Sequence, residues 1–502
     1  MNHINFLVCS TYIFLTTLLA EGYLGINWGR VATQRMIPSM VVDMLLQNSI
    51  NDVKVFSFSS NVLEPIGGTN ISLAVTMPNE EFEFITDLDN ANKWINLKFI
   101  KYKTFNVNFK YLYIGFQPLS TKFGPIIYNT TADVLERMQK ALVKEKLGIT
   151  ATMSHYTDIL NYETLKKPSM AEFKPDLKNI LSRICKTLQS SNSTFGIDIF
   201  TILNVQEHFN NVTEFAFFDN NSTFRIQDGN LTYTNAFEAM YDSTVWALEK
   251  LGFPDLPVSV GATGWPTDGT EESTPENAQR YLQGLANFLM SNKGTPKRPG
   301  ISIDAYIHNL ADENSVRTLS GNFTRHFGIY KFDGTPKFNL DLQGKQRPVM
   351  PVSAIGITHM PTRWCILDVL KIDSDKIPYE TLDRFYNSSC KRADCTPMSP
   401  GGSCASLKYP LNYSFAFNIA FQATSQKVQG NSSCDFGGYG VIVADDPSTG
   451  KCIFPVEIIP AETSNFLGQR TSSSQPVGIR PSSSSLTVIL QFLFILLFTL
   501  AL

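Results

Sequence analysis

Charge is scarce in this 502-residue chain: 17% of the residues are charged, 42 basic against 45 acidic, for a formal net charge of −3. No run of Lys or Arg interrupts it, which excludes electrostatic capture of nucleic acid as the organising function. No self-similar period runs along the chain, so a solenoid is excluded as well. The histidines, His3, His155, His208, His308, His326 and His359, are scattered without HExxH or other ligand spacing, and neither a GxSxG elbow nor a phosphate-cradling loop occurs. The residues therefore offer no metal site and call for no cofactor. Cysteine is nearly missing before position 365, where only Cys9 and Cys185 occur. Apolar residues are plentiful at 43% of a 56.1 kDa chain, ample for a large core and for more than one domain.

The ends carry processing signals. Phe6 to Leu19 form a short apolar stretch closing on Ala20, which reads as a secretory signal peptide over 1–20. Eleven Asn-X-Ser/Thr sequons follow, at Asn70, Asn129, Asn192, Asn211, Asn220, Asn221, Asn230, Asn322, Asn387, Asn412 and Asn431, as expected of an exported glycoprotein. At the other end, Leu486 to Leu502 are apolar apart from Gln491 and scattered Thr, and no basic residue follows. With Ser472, Ser473 and Ser474 as small acceptors and a polar spacer between, this reads as a GPI-attachment signal: a Ser-rich stalk over 456–485, then a tail over 486–502 removed on anchoring. A tail-anchoring helix is the alternative, and seventeen residues are marginal for a bilayer. Cys365, Cys390, Cys395, Cys404, Cys434 and Cys452 fall within about ninety residues, which in an exported chain predicts a small domain, 364–455, stapled by up to three disulfides. Spacing alone leaves fifteen pairings open. Cys185 is expected to be a buried free thiol.

Between these regions, apolar runs alternate with helical patterns. Strands are expected at Leu24–Asn27, Val53–Phe58, Ile71–Thr76, Tyr111–Gly115, Gly148–Met153, Gly196–Ile202, Pro257–Ala262 and Ile301–His308, each continuously apolar as buried parallel strands are. Helices are marked by Pro38 followed by Val41, Val42, Leu45 and Leu46, and by Leu135, Met138 and Leu142. A third begins with Thr274 as N-cap and Pro275 in the first turn. Eight strands alternating with helices over 21–340 predict an α/β fold, a (β/α)8 TIM barrel. An open doubly wound sheet is the alternative, but no GxGxxG opens the chain. Pro348, Pro351 and Pro361 break any periodicity over 341–363, which reads as a linker.

In such a barrel the chemistry sits where strands end. The first strand ends in Asn27-Trp28-Gly29, the fourth in Gly115-Phe116-Gln117-Pro118 and the seventh in Gly264-Trp265-Pro266. Exposed Trp28 and Trp265 beside Asn27 would make a sugar platform, rings under pyranose faces and an amide on a hydroxyl. With Asp312-Glu313-Asn314 and Phe327-Gly328-Ile329-Tyr330, these motifs resemble glycoside hydrolase family 17, the plant endo-1,3-β-glucanases, from Tyr23 to about Leu340. The cysteine-rich region is similar to the family 43 carbohydrate-binding module, a callose-binding module. It matches through Trp364-Cys365, Asp394-Cys395, Pro400-Gly401-Gly402-Ser403-Cys404, Phe415-Ala416-Phe417-Asn418 and Cys434-Asp435-Phe436-Gly437-Gly438. The resemblance implies a β-1,3-glucan (callose) partner, a place on the outer face of the plasma membrane or in the cell wall, and substrate contacts from Asn27, Trp28, Phe116, Trp265 and Glu313. In the module, Trp364 and Phe436 are candidates for stacking or for core.

Two departures stand out. Where the family carries Asn-Glu-Pro, with Glu as general acid/base, this chain has Phe116-Gln117-Pro118. Where the family carries Ser-Glu-Thr-Gly-Trp-Pro, with Glu as nucleophile, it has Gly261-Ala262-Thr263-Gly264-Trp265-Pro266. Retaining hydrolysis uses two carboxyl groups about 5–5.5 Å apart. An amide has no such proton to give and a methyl group cannot attack, so the expectation is a sugar-shaped cleft with impaired hydrolysis. An active endo-1,3-β-glucosidase is the alternative. Asp268, Glu271, Glu272, Asp312 and Glu313 are the carboxylates close enough in sequence to substitute, and each reads more simply as an exposed loop charge.

Overall fold

The computed structural model describes residues 22–121, 125–316, 321–344, 347–426 and 433–459. All eight expected strands form: β1 (Leu24–Trp28), β2 (Asp52–Val55), β3 (Ser72–Met77), β4 (Asn108–Ile114), β5 (Thr150–Tyr156), β6 (Phe195–Asp198), β7 (Val258–Thr263) and β8 (Ala305–Ile307). They pair in parallel in sequence order, and β1 closes on β8 with Leu24 opposite Ala305, completing a barrel. Both faces of these strands are covered, which is why their sequences are continuous apolar runs. Three runs were expected to be longer, and Phe56 to Phe58 fall beyond the end of β2. Ile199 to Ile202 leave the sheet after Asp198, and Thr201 opens a helix instead; an apolar run alone does not separate a buried strand from a buried helix. Ile301 to Asp304 likewise precede the strand proper.

The helices follow their apolar spacing. In α1 (Pro38–Gln47), Val41, Val42, Met44 and Leu45 are buried, while Leu46 is half-buried at the edge of that face. Then come α2 (Ser60–Ile66), α3 (Leu88–Lys98), α4 (Pro125–Lys144), α5 (Lys178–Ser190), α6 (Thr201–His208) and α7 (Ala236–Leu251). The cap expected at Thr274 is present: its hydroxyl accepts from the Asn277 amide at 3.1 Å, and α8 (Pro275–Met290) buries Tyr281, Leu282, Leu285 and Leu289. Each of those leucines contributes roughly 1.5–3 kcal/mol by leaving water. Cys185 is the expected buried free thiol, and burial pushes it up to about 12.

The cysteine-rich region forms β9 (Trp364–Leu367) and β10 (Gly440–Val443), paired antiparallel, with α9 (Tyr379–Arg392) and α10 (Leu411–Ala423). Three disulfides resolve the open pairings: Cys365–Cys434, Cys390–Cys395 and Cys404–Cys452. Residues 341–363 do not hang free. Asn48 at the end of α1 donates to the Val352 carbonyl at 3.1 Å and accepts its amide at 2.7 Å, and Leu340 bridges to Val349. All described residues belong to one compact unit. Among them no helix is long and apolar enough to cross a membrane. The expected leader, Asn431, the Ser472–Ser474 acceptors, most of the stalk and the apolar tail lie outside the described residues.

Candidate functional site at the barrel mouth

The C-terminal strand ends converge on one buried carboxylate. Asp198, the last residue of β6, is 1% exposed. Gln117 Nε2 donates to its Oδ2 at 2.8 Å, the Ser154 hydroxyl of β5 donates to its Oδ1, and the backbone amide of Ala262 on β7 is directed at the same group. Gln117 and Ala262, 145 positions apart in sequence, therefore meet across a single side chain. Asp198 itself was not among the residues expected at the site. Its signal was weak: one acid ending an apolar strand, within a run taken to continue to Ile202.

Local backbone explains how Gln117 reaches inward. After β4 the chain turns through Gly115 and Gln117, both at positive φ, 75° and 47°. The left-handed region costs a non-glycine residue about 1–2 kcal/mol, so this turn is held by its surroundings. Asn79 supplies the hold: its Oδ1 accepts the Phe116 amide and its Nδ2 donates to the Phe116 carbonyl, both at 2.9 Å. The Phe116 ring is left 40% exposed and packs edge-on against Phe56 with centroids 5.6 Å apart.

Lys54 of β2 lies buried beneath these groups, donating to the Gly261 carbonyl at 2.6 Å, with its ammonium 4.4 Å from the Tyr113 ring centroid. Burial draws its pKa down to about 8, against the pull of Asp198. Burial likewise raises Asp198, with Lys54 opposing. Asn27 also donates to Gly261 O, at 3.2 Å; it is fully buried, and its Oδ1 has no partner among the described residues. Gly261 has to be glycine, since a Cβ there would sit 2.2 Å from Ser154 Oγ and 2.7 Å from Asp198 Oδ1.

Two expectations need correcting here. Trp28 and Trp265 are not exposed platforms: they are 4% and 0% exposed. Trp265 donates to the Glu272 carbonyl at 2.9 Å and packs on Phe217 and Tyr281, so its ring is spent on the core. Nor are Asp312 and Glu313 exposed loop charges. Glu313 accepts from the Val31 amide at 2.7 Å and from Asn309 Nδ2 at 2.5 Å, and burial raises it to about 7. Gly29 makes room for it; a Cβ would lie 2.2 Å from the Glu313 carboxylate. Asp312 is held by Lys337 at 2.6 Å.

Several remaining residues act at the junction with the cysteine-rich region. Asp268 accepts from Ser403 through the amide at 2.8 Å and the hydroxyl at 2.6 Å. Asp394 lies 2.8 Å from His326 Nε2 and 3.2 Å from Arg325, while Asn314 donates to Glu457 at 3.2 Å. Burial opposes charge on His326, but Asp394 and Asp312 outweigh it and push it up to about 10. Conversely, His326 draws Asp394 down to about 2 against its own burial. Within the region Trp364 is core, donating to the Phe454 carbonyl at 2.9 Å, and half-buried Phe436 stacks on Phe417 with centroids 3.9 Å apart. Nine of the eleven sequon asparagines are exposed, whereas Asn412 is half-buried.

Comparison with known proteins places this geometry. The sequence pattern of Glycosyl hydrolases family 17 matches residues 24–342. Two curated Arabidopsis thaliana proteins, glucan endo-1,3-beta-glucosidase 8 and glucan endo-1,3-beta-glucosidase 5, are each 33% identical over 89% of this chain, covering 92% and 91% of their own lengths. Among solved structures, a beta-1,3-glucanase and allergen of Cryptomeria japonica pollen superposes with a TM-score of 0.60 at 29% identity, over 64% of this chain and 100% of that one.

Proposed function

The chain belongs to glycosyl hydrolases family 17, and from that footing we propose that it is a surface-anchored β-1,3-glucan-binding protein whose hydrolytic machinery is impaired. The observation that carries this reading is the pair Gln117 and Ala262. The positions that the family resemblance assigns to the acid and the nucleophile hold an amide and a methyl group; the Gln117 amide donates to Asp198, and Ala262 offers the same carboxylate only its backbone amide. The barrel mouth keeps the exposed Phe116 ring as a surface suited to a sugar, whereas Asn27 and Lys54 are buried beneath it, and it lacks the two groups that would cut the sugar. In this reading the barrel spans 21–340, the strap 341–363 joins it to a callose-binding module over 364–455, and export, glycosylation and a GPI anchor place the protein at the plasma membrane facing the wall.

The test is incubation of the purified protein with laminarin and with insoluble β-1,3-glucan. Retention on the insoluble polymer without release of reducing sugar is the expected outcome, with laminarin affinity weakened about 2–10-fold by Phe116→Ala, as loss of one aromatic contact predicts. Turnover surviving rigorous removal of host glucanase would reverse the reading in favour of an active endo-1,3-β-glucosidase. That second reading is favoured by the names of the curated relatives, which match this chain over nearly their whole length.

A further inference from the structure

We propose that Asp198 is the positioning residue that sets the identity of position 117: with this carboxylate in place the barrel mouth accepts an amide at 117 and refuses an acid. The inference deepens the reading above and rests on it for its link to hydrolysis, although the pairing itself stands on geometry alone. Asp198 is almost wholly shut off from water and receives donors from three neighbouring strand ends: Gln117 Nε2 at 2.8 Å, the Ser154 hydroxyl, and the Ala262 amide. The groups around it are Lys54 from β2, Tyr113 from β4, Gln117 from the turn after β4, Ser154 from β5 and the Ala262 amide from β7. Lys54 is the cation among them, and its ammonium is bonded to the Gly261 carbonyl rather than to Asp198.

An ionised glutamate at 117 would set acceptor oxygen against acceptor oxygen at the distance now spanned by a hydrogen bond. Two carboxylates so close share one proton, and the pair resists losing it. The proton an acid catalyst must deliver to a leaving oxygen would instead be held between the two side chains. A glutamate at 262 would meet the same carboxylate, because Ala262 is the register partner of Asp198 in the β6–β7 pair. Gln117 and Asp198 thus form a matched donor and acceptor, and the route back to an acid pair runs through position 198.

The full chain is tested as Gln117→Glu, Asp198→Asn and the double variant, by thermal melts at pH 5 and pH 8. A carboxyl whose folded pKa is raised gives stability that is present at low pH and lost as pH rises. Gln117→Glu should therefore lose several degrees of Tm between pH 5 and pH 8 beyond the wild-type change, and Asp198→Asn should abolish that excess. Should Gln117→Glu fold only when Asp198→Asn accompanies it, the proposal is equally supported. It is overturned by a Gln117→Glu protein with the wild-type pH response, or by a double variant as pH-sensitive or as defective as the single one. Laminarin hydrolysis supplies the second arm. Gln117→Glu with Ala262→Glu should gain at least about tenfold when Asp198→Asn is added, and equal measurable activity with and without it overturns the proposal. Absence of hydrolysis from both, with the thermal coupling intact, would tell against the view that restoring two acids suffices to rebuild the enzyme, while still supporting the Asp198–Gln117 pairing.

Discussion

At the scale of single residues, burial decides what each polar group does. Glu313 shows this most directly: it is 7% exposed and tied to the Val31 amide and Asn309, so it braces the β8 exit against the β1 exit. Its pKa is raised to about 7, chiefly by burial. A carboxyl raised in this way stabilises the fold fully below its unfolded value near 4.5 and loses that contribution as pH climbs through about 7. The variant Glu313→Gln should accordingly gain on the wild type between pH 5 and pH 8, as read from denaturant midpoints at the two pH values. A wild type whose midpoint falls no faster than the variant's would show that the carboxyl is not held protonated. Position 313 was legible in the sequence as part of Asp312-Glu313-Asn314. Its burial was not, because it depends on the absence of a side chain at Gly29, 284 positions earlier.

At the scale of elements, three helices were legible from their starts or apolar spacing, those at Pro38, at Leu135 to Leu142 and at Thr274. Thr274 and Pro275 announce the start of α8, and the observed bond from the Asn277 amide to the Thr274 hydroxyl is the one that such a start requires. Replacing Thr274 by Ala should cost about 1 kcal/mol of stability, measured by denaturant unfolding, with glucan retention unchanged. Strand positions were equally readable, since buried parallel strands are apolar on both faces. Their ends were harder. The run Gly196 to Ile202 contains both the end of β6 and the first turn of α6, and the boundary falls at Asp198, the residue around which the site is arranged. Apolar residues flank Asp198 on both sides, so one acid is the only mark of that boundary. Similarly, Trp265 reads equally well as a platform or as core; only Phe217 and Tyr281 packed against it settle the matter.

At the scale of the whole molecule, barrel and disulfide-stapled region pack as one unit, and the charges between them are specific. Asp394, from the latter, sits against His326 and Arg325 of the barrel and is nine-tenths buried. Removing Asp394 takes this partner from Arg325 and leaves His326 with Asp312 alone, and breaking a buried pair costs about 3–5 kcal/mol. Asp394→Ala should thus lower stability by about that amount and split a single calorimetric transition into two, one for each part. A variant that still melts in one step at the wild-type temperature would show that the contact contributes little. The same docking occupies Asp394 and Ser403, two residues of the motifs by which the region resembles a callose-binding module, so in the proposed reading glucan contact would fall to other residues of its surface.

Composition and local pattern were enough to predict the barrel, the cysteine-rich appendage and the helix starts at Pro38 and Thr274, because each follows from chemistry within a few residues of itself; the two substituted positions were marked only by the family resemblance. What only the tertiary structure decided is which distant groups share a space: the three disulfide pairs, the burial of Trp28, Trp265 and Glu313, and the meeting of Gln117 and Ala262 on Asp198. Closing eight strands into a ring brings residues from β2, β4, β5, β6 and β7 within hydrogen-bonding or electrostatic reach of one another. That proximity is a property of the ring's geometry, with no counterpart in the order of residues along the chain.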